Sequence, residues 1–152
     1  MNDMKIGIDY VGITTPFYCH DGNGNLLMHK RSKECRDEQH RWDTGSGKLE
    51  LNLSLENNVL QEVLEEYGCE GEIQEQLPAL DLFRELNGVK THWIAVPFFL
   101  KVNRDEVKNG EPHKIEEIGW FTLDTLPEPL HTGFAYALNK HKNIFEKYLL
   151  KS

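Results

Sequence analysis

Along most of the chain, short apolar runs alternate with clusters of turn-forming residues. "KIGIDYVGIT", residues 5–14, mixes β-branched and aromatic positions in partial alternation and predicts a strand. "CHDGNGNLLMHKRS", residues 19–32, predicts a hairpin that turns through the Gly/Asn/Asp cluster at 21–25. "LPALDLFREL" and "KTHWIAVPFFLKV" flank Asn87-Gly88, a strong hairpin turn signal, and "EEIGWFTL" predicts another strand. The period changes after Ser54. Val59, Leu60, Val63, Leu64 and Tyr67 share one helical arc, Ser54 is a good N-cap, and Gly68 suits a left-handed stop. Phe134, Ala135, Leu138, Phe145, Tyr148 and Leu149 predict a second amphipathic helix over 131–150. Strands, helix, strands, helix is the order of an α+β fold, a mixed sheet flanked by helices rather than a doubly wound parallel sheet. No repeat or low-complexity linker divides the chain, and 152 residues suit one domain, 1–152.

Composition narrows the partners. A formal net charge of −8 argues against binding a nucleic-acid polymer or a membrane surface, although it permits a nucleotide held through metal ions. Cys19, Cys35 and Cys69 include no C-x-x-C pair, so reduced cytosolic thiols are expected rather than disulfides or zinc. "MNDMKIGIDY" has no signal-peptide pattern, and no apolar run approaches the roughly 20 residues that span a bilayer. The expectation is a cytoplasmic protein with no membrane partner. Asp21, Asn23 and Asn25 suggest a calcium loop, but Leu26 and Ser32 stand where that motif needs Gly and Glu.

The chemistry gathers in "QEVLEEYG". Glu62, Glu65 and Glu66 place three negative charges within about a third of the helix circumference, where each like pair costs a few tenths of a kcal/mol. Alone, such a cluster is a solvated acidic face. Upstream, "TGSGKLELNL" sets Gly45 and Gly47 just before Lys48 and Glu50, and glycines there let the backbone come close to a ligand. A Gly-rich turn feeding a capped helix with clustered carboxylates suits Mg²⁺, a hard ion that takes carboxylate and phosphate oxygens.

Residues 47–69 resemble the Nudix box of the Nudix (MutT-like) hydrolases, G-x5-E-x7-R-E-U-x-E-E-x-G-U with U aliphatic. Gly47, Glu62, Val63, Glu65, Glu66 and Gly68 match it, and Cys69 loosely fills the last apolar place. "LMHKRS", "CRDEQHRWD" and "EEIGWFTLDTLPEPLH" also resemble segments of bacterial Nudix proteins. The resemblance implies an α/β/α sandwich around a mixed sheet. It also implies a Mg²⁺- or Mn²⁺-dependent hydrolase acting on a small-molecule nucleotide, with a homodimer compatible. Two positions depart from the box: Leu53 stands at the family Glu, after Asn52 where Gly is usual, and Gln61 stands at the family Arg. That Arg is implied to pair with box carboxylates and orient them. Gln61 donates without charge, and charge-assisted bonds are roughly twice as strong. An impaired domain that binds a nucleotide without turnover is the alternative.

The resemblance makes Glu62, Glu65 and Glu66 both metal ligands and catalytic candidates, with Glu50 a further ligand. It also points to a loop carboxylate before "IGWF", for which Glu117 is the candidate beside Glu116. Gly47 and Lys48 are candidates for substrate contact. Arg31 is a candidate phosphate contact, better placed than Arg36 at a strand end facing the box. Tyr18, Trp93 and Phe98 could stack on a base but are expected in the core, and Trp42 is expected under the Gly-rich turn.

Overall fold

A computed structural model describes residues 3–150 of the chain; the expected domain ends at 1–2 and 151–152 lie outside the described residues. The hairpin at 19–32 forms as β2 (Phe17–His20) and β3 (Leu26–Arg31). Asp21 closes its turn by accepting the Asn23 N–H and the Asn25 side-chain amide, each at 2.8 Å. Strand β8 (Phe98–Val102) runs parallel to β2 and antiparallel to β5 (Gly71–Gln76), while β4 (Trp42–Asp43) and β9 (Ile115–Phe121) both pair with β3. These six strands form the larger sheet.

Both faces of that sheet are covered, and pleat alternation sorts its side chains. Phe17, Cys19, Leu27, Phe98 and Leu100 pack with Val59, Val63 and Tyr67 of α1 (Leu55–Tyr67). Tyr18, Leu26, Met28 and Phe99 pack on the other face with Phe134 and Ala137 of α2 (Thr132–Lys140) and Phe145 and Leu149 of α3 (Lys142–Leu149). The result is an α/β/α sandwich, as expected. It also explains why "FYCH" shows no polar–apolar alternation, since every one of its residues is buried. Phe17 and Phe98 are fully buried, each worth about 1.5–3 kcal/mol.

The ends of α1 follow local chemistry. The Ser54 hydroxyl accepts the Asn57 N–H at 3.0 Å, and Gly68 at φ 65° donates to the Leu64 carbonyl. A smaller sheet of β1 (Gly12–Thr14), β7 (Val89–Ala95) and β6 (Leu80–Leu86) carries the second hairpin, turned by Asn87 and Gly88 at φ 52° and 79°.

Three expectations are corrected, and one strand was not expected. The first strand shortens to Gly12–Thr14, because Gly7, at φ 82°, donates to the Tyr10 carbonyl and Asp9 accepts the Lys5 N–H, closing a turn. Only glycine fits at position 7, where a Cβ would overlap the Trp93 indole. The apolar run 90–102 divides between the two sheets at Val96-Pro97, since Pro97 has no N–H for a ladder. The C-terminal helix breaks at His141 (φ −112°, ψ 29°). Strand β5 was not signalled at all, because "GEIQEQ" has one apolar side chain and draws its order from pairing with β8. Among the described residues, no helix is long and apolar enough to cross a membrane.

Candidate metal and phosphate site

Helix α1 presents a polar stripe beside its apolar one. Asn58, Glu62 and Glu66 follow each other at i, i+4 spacing, next to Val59, Val63 and Tyr67. Asn58 and Glu66 are buried and Glu62 is half-buried, so this is not a solvated face. Two loops roof it. Residues 45–49 lie along the chain from β1 to the start of β2 through Phe17 N to Gly45 O (3.0 Å), Thr15 N to Gly47 O (2.8 Å) and Leu49 N to Ile13 O (2.8 Å). Gly47 thereby comes so close to Glu62 that a Cβ on it would overlap Glu62 Cγ and Cδ. The second loop, after β8, packs on the end of α1, where Gly110 N donates to the Glu66 carbonyl at 2.9 Å. A Cβ on Gly110 would overlap the Glu65 carbonyl oxygen.

The electrostatics here are unfavourable to an empty site. Burial, then Glu65, Glu111 and Glu50, push the Glu62 carboxyl up to about 7. Burial, then Glu111, Asp43 and Glu62, push Glu66 well above the usual carboxylate range; Lys114 opposes both shifts weakly. Glu66 is 8% exposed, and its Oε2 has no hydrogen-bond partner. A buried acceptor without a donor costs about 1–3 kcal/mol, more if charged. A divalent cation would fit these oxygens, since it would supply the missing partner and relieve the mutual repulsion. Among the described residues, no three His, Cys, Asp or Glu side chains already stand close enough to hold an ion. The carboxylates are neighbours that an ion would have to draw together.

The other candidates distribute around this group. Glu65 is exposed at its rim, and Glu50 accepts the Gln61 side-chain amide at 3.3 Å. Lys48 is exposed and bridges to Thr14. The Gly47 carbonyl already takes the Thr15 N–H and, at 3.1 Å, the Thr14 hydroxyl. Arg31 is engaged elsewhere, donating to the Asp37 carbonyl (3.0 Å) and carboxylate (2.8 Å) and reaching Asp43 at 4.0 Å. Glu117 is not brought to the site. It pairs with Lys30 on β3, and alternation from Phe121 puts it on the face away from α1. Glu116 binds His40 and Lys30. The loop carboxylate near Glu62 and Glu66 is instead Glu111, which sequence reasoning missed; its signal is the Asn109-Gly110 turn just before it.

Next to the carboxylates, the turn from β4 is pinned by Tyr67, whose hydroxyl donates to the Thr44 carbonyl at 2.9 Å. That leaves its oxygen to accept from His29 Nδ1 at 2.6 Å, and burial holds this histidine neutral with its pKa lowered to about 4. Glu38 ties the loop after β3 to the start of α2: it accepts from His131 Nε2 and Thr132 N and pairs with Arg84. Its burial would raise its pKa, but His131 and Thr132 outweigh that and lower it strongly. A narrow cleft lies between the small sheet and α2, lined by Tyr18, Thr44, Ser46, Leu82, His131 and Phe134. Its free volume of about 70 Å³ equals that of a few waters, so a nucleoside would enter only as it widens. Tyr18 and Phe98 belong to the core, and Trp93 is covered by Gly7 and Gly12. Trp42 packs edge-on against Phe121, 5.2 Å between centroids, and it is Phe17 that underlies the Gly-rich turn at Gly45.

Known proteins share this fold. A family model described as NUDIX domain matches residues 13–140. Among solved structures, the chain is similar to the MutT NUDIX hydrolase from Burkholderia pseudomallei, with 28% identity, 86% of this chain and 98% of that one covered, and a TM-score of 0.75. It is similar to the MutT protein from Methanosarcina mazei Go1 at 25% identity, covering 93% and 96%, with a TM-score of 0.69. An ADP-ribose pyrophosphatase from Streptococcus suis shares the fold at 20% identity, covering 80% and 81%, with a TM-score of 0.60. A search of curated proteins gives no match.

Proposed function

This chain belongs to the Nudix family, and from its site we propose that it is a divalent-metal-dependent hydrolase. It would cleave a phosphoanhydride bond in a nucleoside diphosphate linked to another group. The observation that carries this reading is the buried Glu66 Oε2 without a partner, beside Glu62 and Glu111. Glu62, Glu65 and Glu66 would hold Mg²⁺ or Mn²⁺, with Glu50 and Glu111 as further carboxylates. When bound, the ion neutralises the diphosphate, polarises a phosphorus centre and acidifies a water.

The chain's own groups do the rest. Glu62, the carboxylate that Gly47 covers, would accept a proton from an attacking water. Water oxygen bonds to one phosphorus, the bridging P–O bond breaks towards the other phosphate, and Glu62 carries the proton. Gly47 leaves Glu62 room to move, and the exposed Lys48 next to it would meet phosphate oxygens. The group beyond the diphosphate would use the cleft beside Ser46 and His131, and the net charge of −8 favours such a small molecule over a nucleic-acid polymer. The thiols of Cys19, Cys35 and Cys69 are free and buried, which is compatible with the reducing cytoplasm.

Gln61 supports a second reading. Its bond to Glu50 is long and brings no positive charge where the family Arg would pair, which favours a domain that binds a nucleotide without hydrolysing it. Product release from a panel of nucleoside diphosphate derivatives, with Mg²⁺ and with Mn²⁺, tests both. Turnover dependent on the ion supports the hydrolase. Saturable binding without turnover supports the binding module, and neither one would end both readings.

A further inference from the structure

We propose that Asn58 is a positioning residue of the metal site, holding residues 47–50 against α1 in place of the missing Glu–Arg pair of the box. This rests on the metal reading above. Asn58 is fully buried on a helix, beside the core residue Val59. Asparagine is a poor helix former, and a polar side chain is uncommon at such a position unless it is paired. Here it is paired at both ends. Its Oδ1 accepts the Glu50 N–H at 3.0 Å, and its Nδ2 donates to the Thr15 hydroxyl oxygen at 3.0 Å. Thr15 is itself fully buried and donates its N–H to the Gly47 carbonyl at 2.8 Å. Asn58 therefore joins α1 to Glu50 directly and, through Thr15 just after β1, to Gly47.

Among the described residues, no other side chain of α1 makes a comparable bond to residues 47–50, and Tyr67 holds Thr44, ahead of them. Gln61 reaches the Glu50 carboxylate, but at 3.3 Å and in an exposed setting, while the Asn58 bond is sheltered. Asn58 also lies one helical turn before Glu62, so the anchor sits directly next to the carboxylate that Gly47 covers. Moving the segment moves Gly47, and with it the space in which the Glu62 carboxylate turns. In the box pattern the corresponding position carries no requirement, whereas the places meant for Glu and Arg are Leu53 and Gln61 here. Here the anchor is a buried amide, where the box pattern implies an ion pair.

The test uses the intact protein and needs no substrate. Amide hydrogen exchange and Mn²⁺ binding by calorimetry are measured on the parent, Asn58→Ala, Thr15→Val and Asn58→Ala combined with Leu53→Glu and Gln61→Arg. In Asn58→Ala the Glu50 amide should exchange at least tenfold faster while α1 amides from Val63 to Tyr67 keep their protection, and the Mn²⁺ Kd should rise at least fivefold. Adding Leu53→Glu and Gln61→Arg should recover most of that affinity, a rescue that a merely structural role for Asn58 does not predict. Thr15→Val, which removes the Nδ2 partner and keeps the shape, should shift both readouts the same way and carries the test if Asn58→Ala does not fold. Unchanged exchange at Glu50 overturns the proposal, as does faster exchange with parental Mn²⁺ affinity. Absence of Mn²⁺ binding by the parent refutes the metal reading instead, and the exchange rates still decide whether Asn58 holds the segment.

Discussion

Gly47 lies directly over the Glu62 side chain: a Cβ at Gly47 would overlap Glu62 Cγ and Cδ and stand 2.6 Å from its Oε2. The first position of the box is thus a glycine because a carboxylate one loop away occupies the space a methyl group would fill. Gly47→Ala meets the flexible end of a side chain, not backbone, so Glu62 gives way and the fold does not. Activity should fall about tenfold or more, equivalent to roughly 1.4 kcal/mol of transition-state stabilisation. The melting temperature should change by only a few degrees. Equal kcat/KM for the parent and Gly47→Ala would separate Glu62 from the reaction.

The raised pKa of Glu62 makes stability depend on pH in a stated direction. Its carboxyl is protonated in both states below about 4.5; between there and about 7 the unfolded chain ionises first, so metal-free stability declines. Above about 7 that loss is complete. Glu62→Gln removes this contribution. The melting-temperature advantage of Glu62→Gln over the parent, measured in EDTA, should therefore grow from near zero at pH 4.5 to a plateau above pH 7. Saturating Mg²⁺ should shrink it by stabilising the parent alone. A pH-independent difference would show that Glu62 is not held protonated.

Glu66→Gln keeps the shape of the buried side chain and removes its charge. Turnover should drop by roughly a hundredfold, about 2.7 kcal/mol, and the Mg²⁺-induced rise in melting temperature should disappear. In metal-free buffer at pH 8 the variant should melt no lower than the parent, since the charge it loses is buried among like charges. Parental turnover on the parent's best substrate would remove Glu66 from the ligand set.

Glu111 and Glu117 make opposite predictions from their places in the fold. Glu111 raises the pKa of both Glu62 and Glu66, whereas Glu117 pairs with Lys30 on β3. Glu111→Gln should weaken metal activation of the reaction by about tenfold in the ion concentration required, near 1.4 kcal/mol. Glu117→Gln should leave it within twofold. A larger effect from Glu117→Gln would restore it as the loop carboxylate.

That contrast also marks what was legible in the sequence. The limits of α1 were, because Ser54 and Gly68 act on backbone groups within a few residues. The carboxylate cluster was, because helical spacing fixes which side chains are neighbours. Glu111 was not: a loop joins the site through a contact across the fold, here Gly110 against the carbonyls of Glu65 and Glu66. Strand β5 was hidden for the same reason, since its order comes from β8 and not from its own residues. Asn58 passed as one polar residue in a helix until its two partners, distant in sequence, were seen.

Leu53 and Gln61 carry the remaining question of rate. Gln61 already reaches Glu50, so Gln61→Arg would replace a long amide–carboxylate bond by an ion pair that can be bidentate. Alone it should raise kcat/KM a few-fold. Leu53 is only half-buried, so Leu53→Glu need not strand a charge in the core, and it would offer the new Arg a second carboxylate. Residues of one network couple by roughly 0.5–3 kcal/mol, so the double variant should exceed the sum of the singles. The gain should be smaller than in an Asn58→Ala background, because in the parent Asn58 already holds the Glu50 amide. Measuring kcat/KM and melting temperature for both singles and the double separates the two readings of the site. A faster, stable double variant identifies an enzyme with a weakened scaffold. Stable variants inactive across the whole substrate panel identify a nucleotide-binding domain whose carboxylates no longer serve hydrolysis.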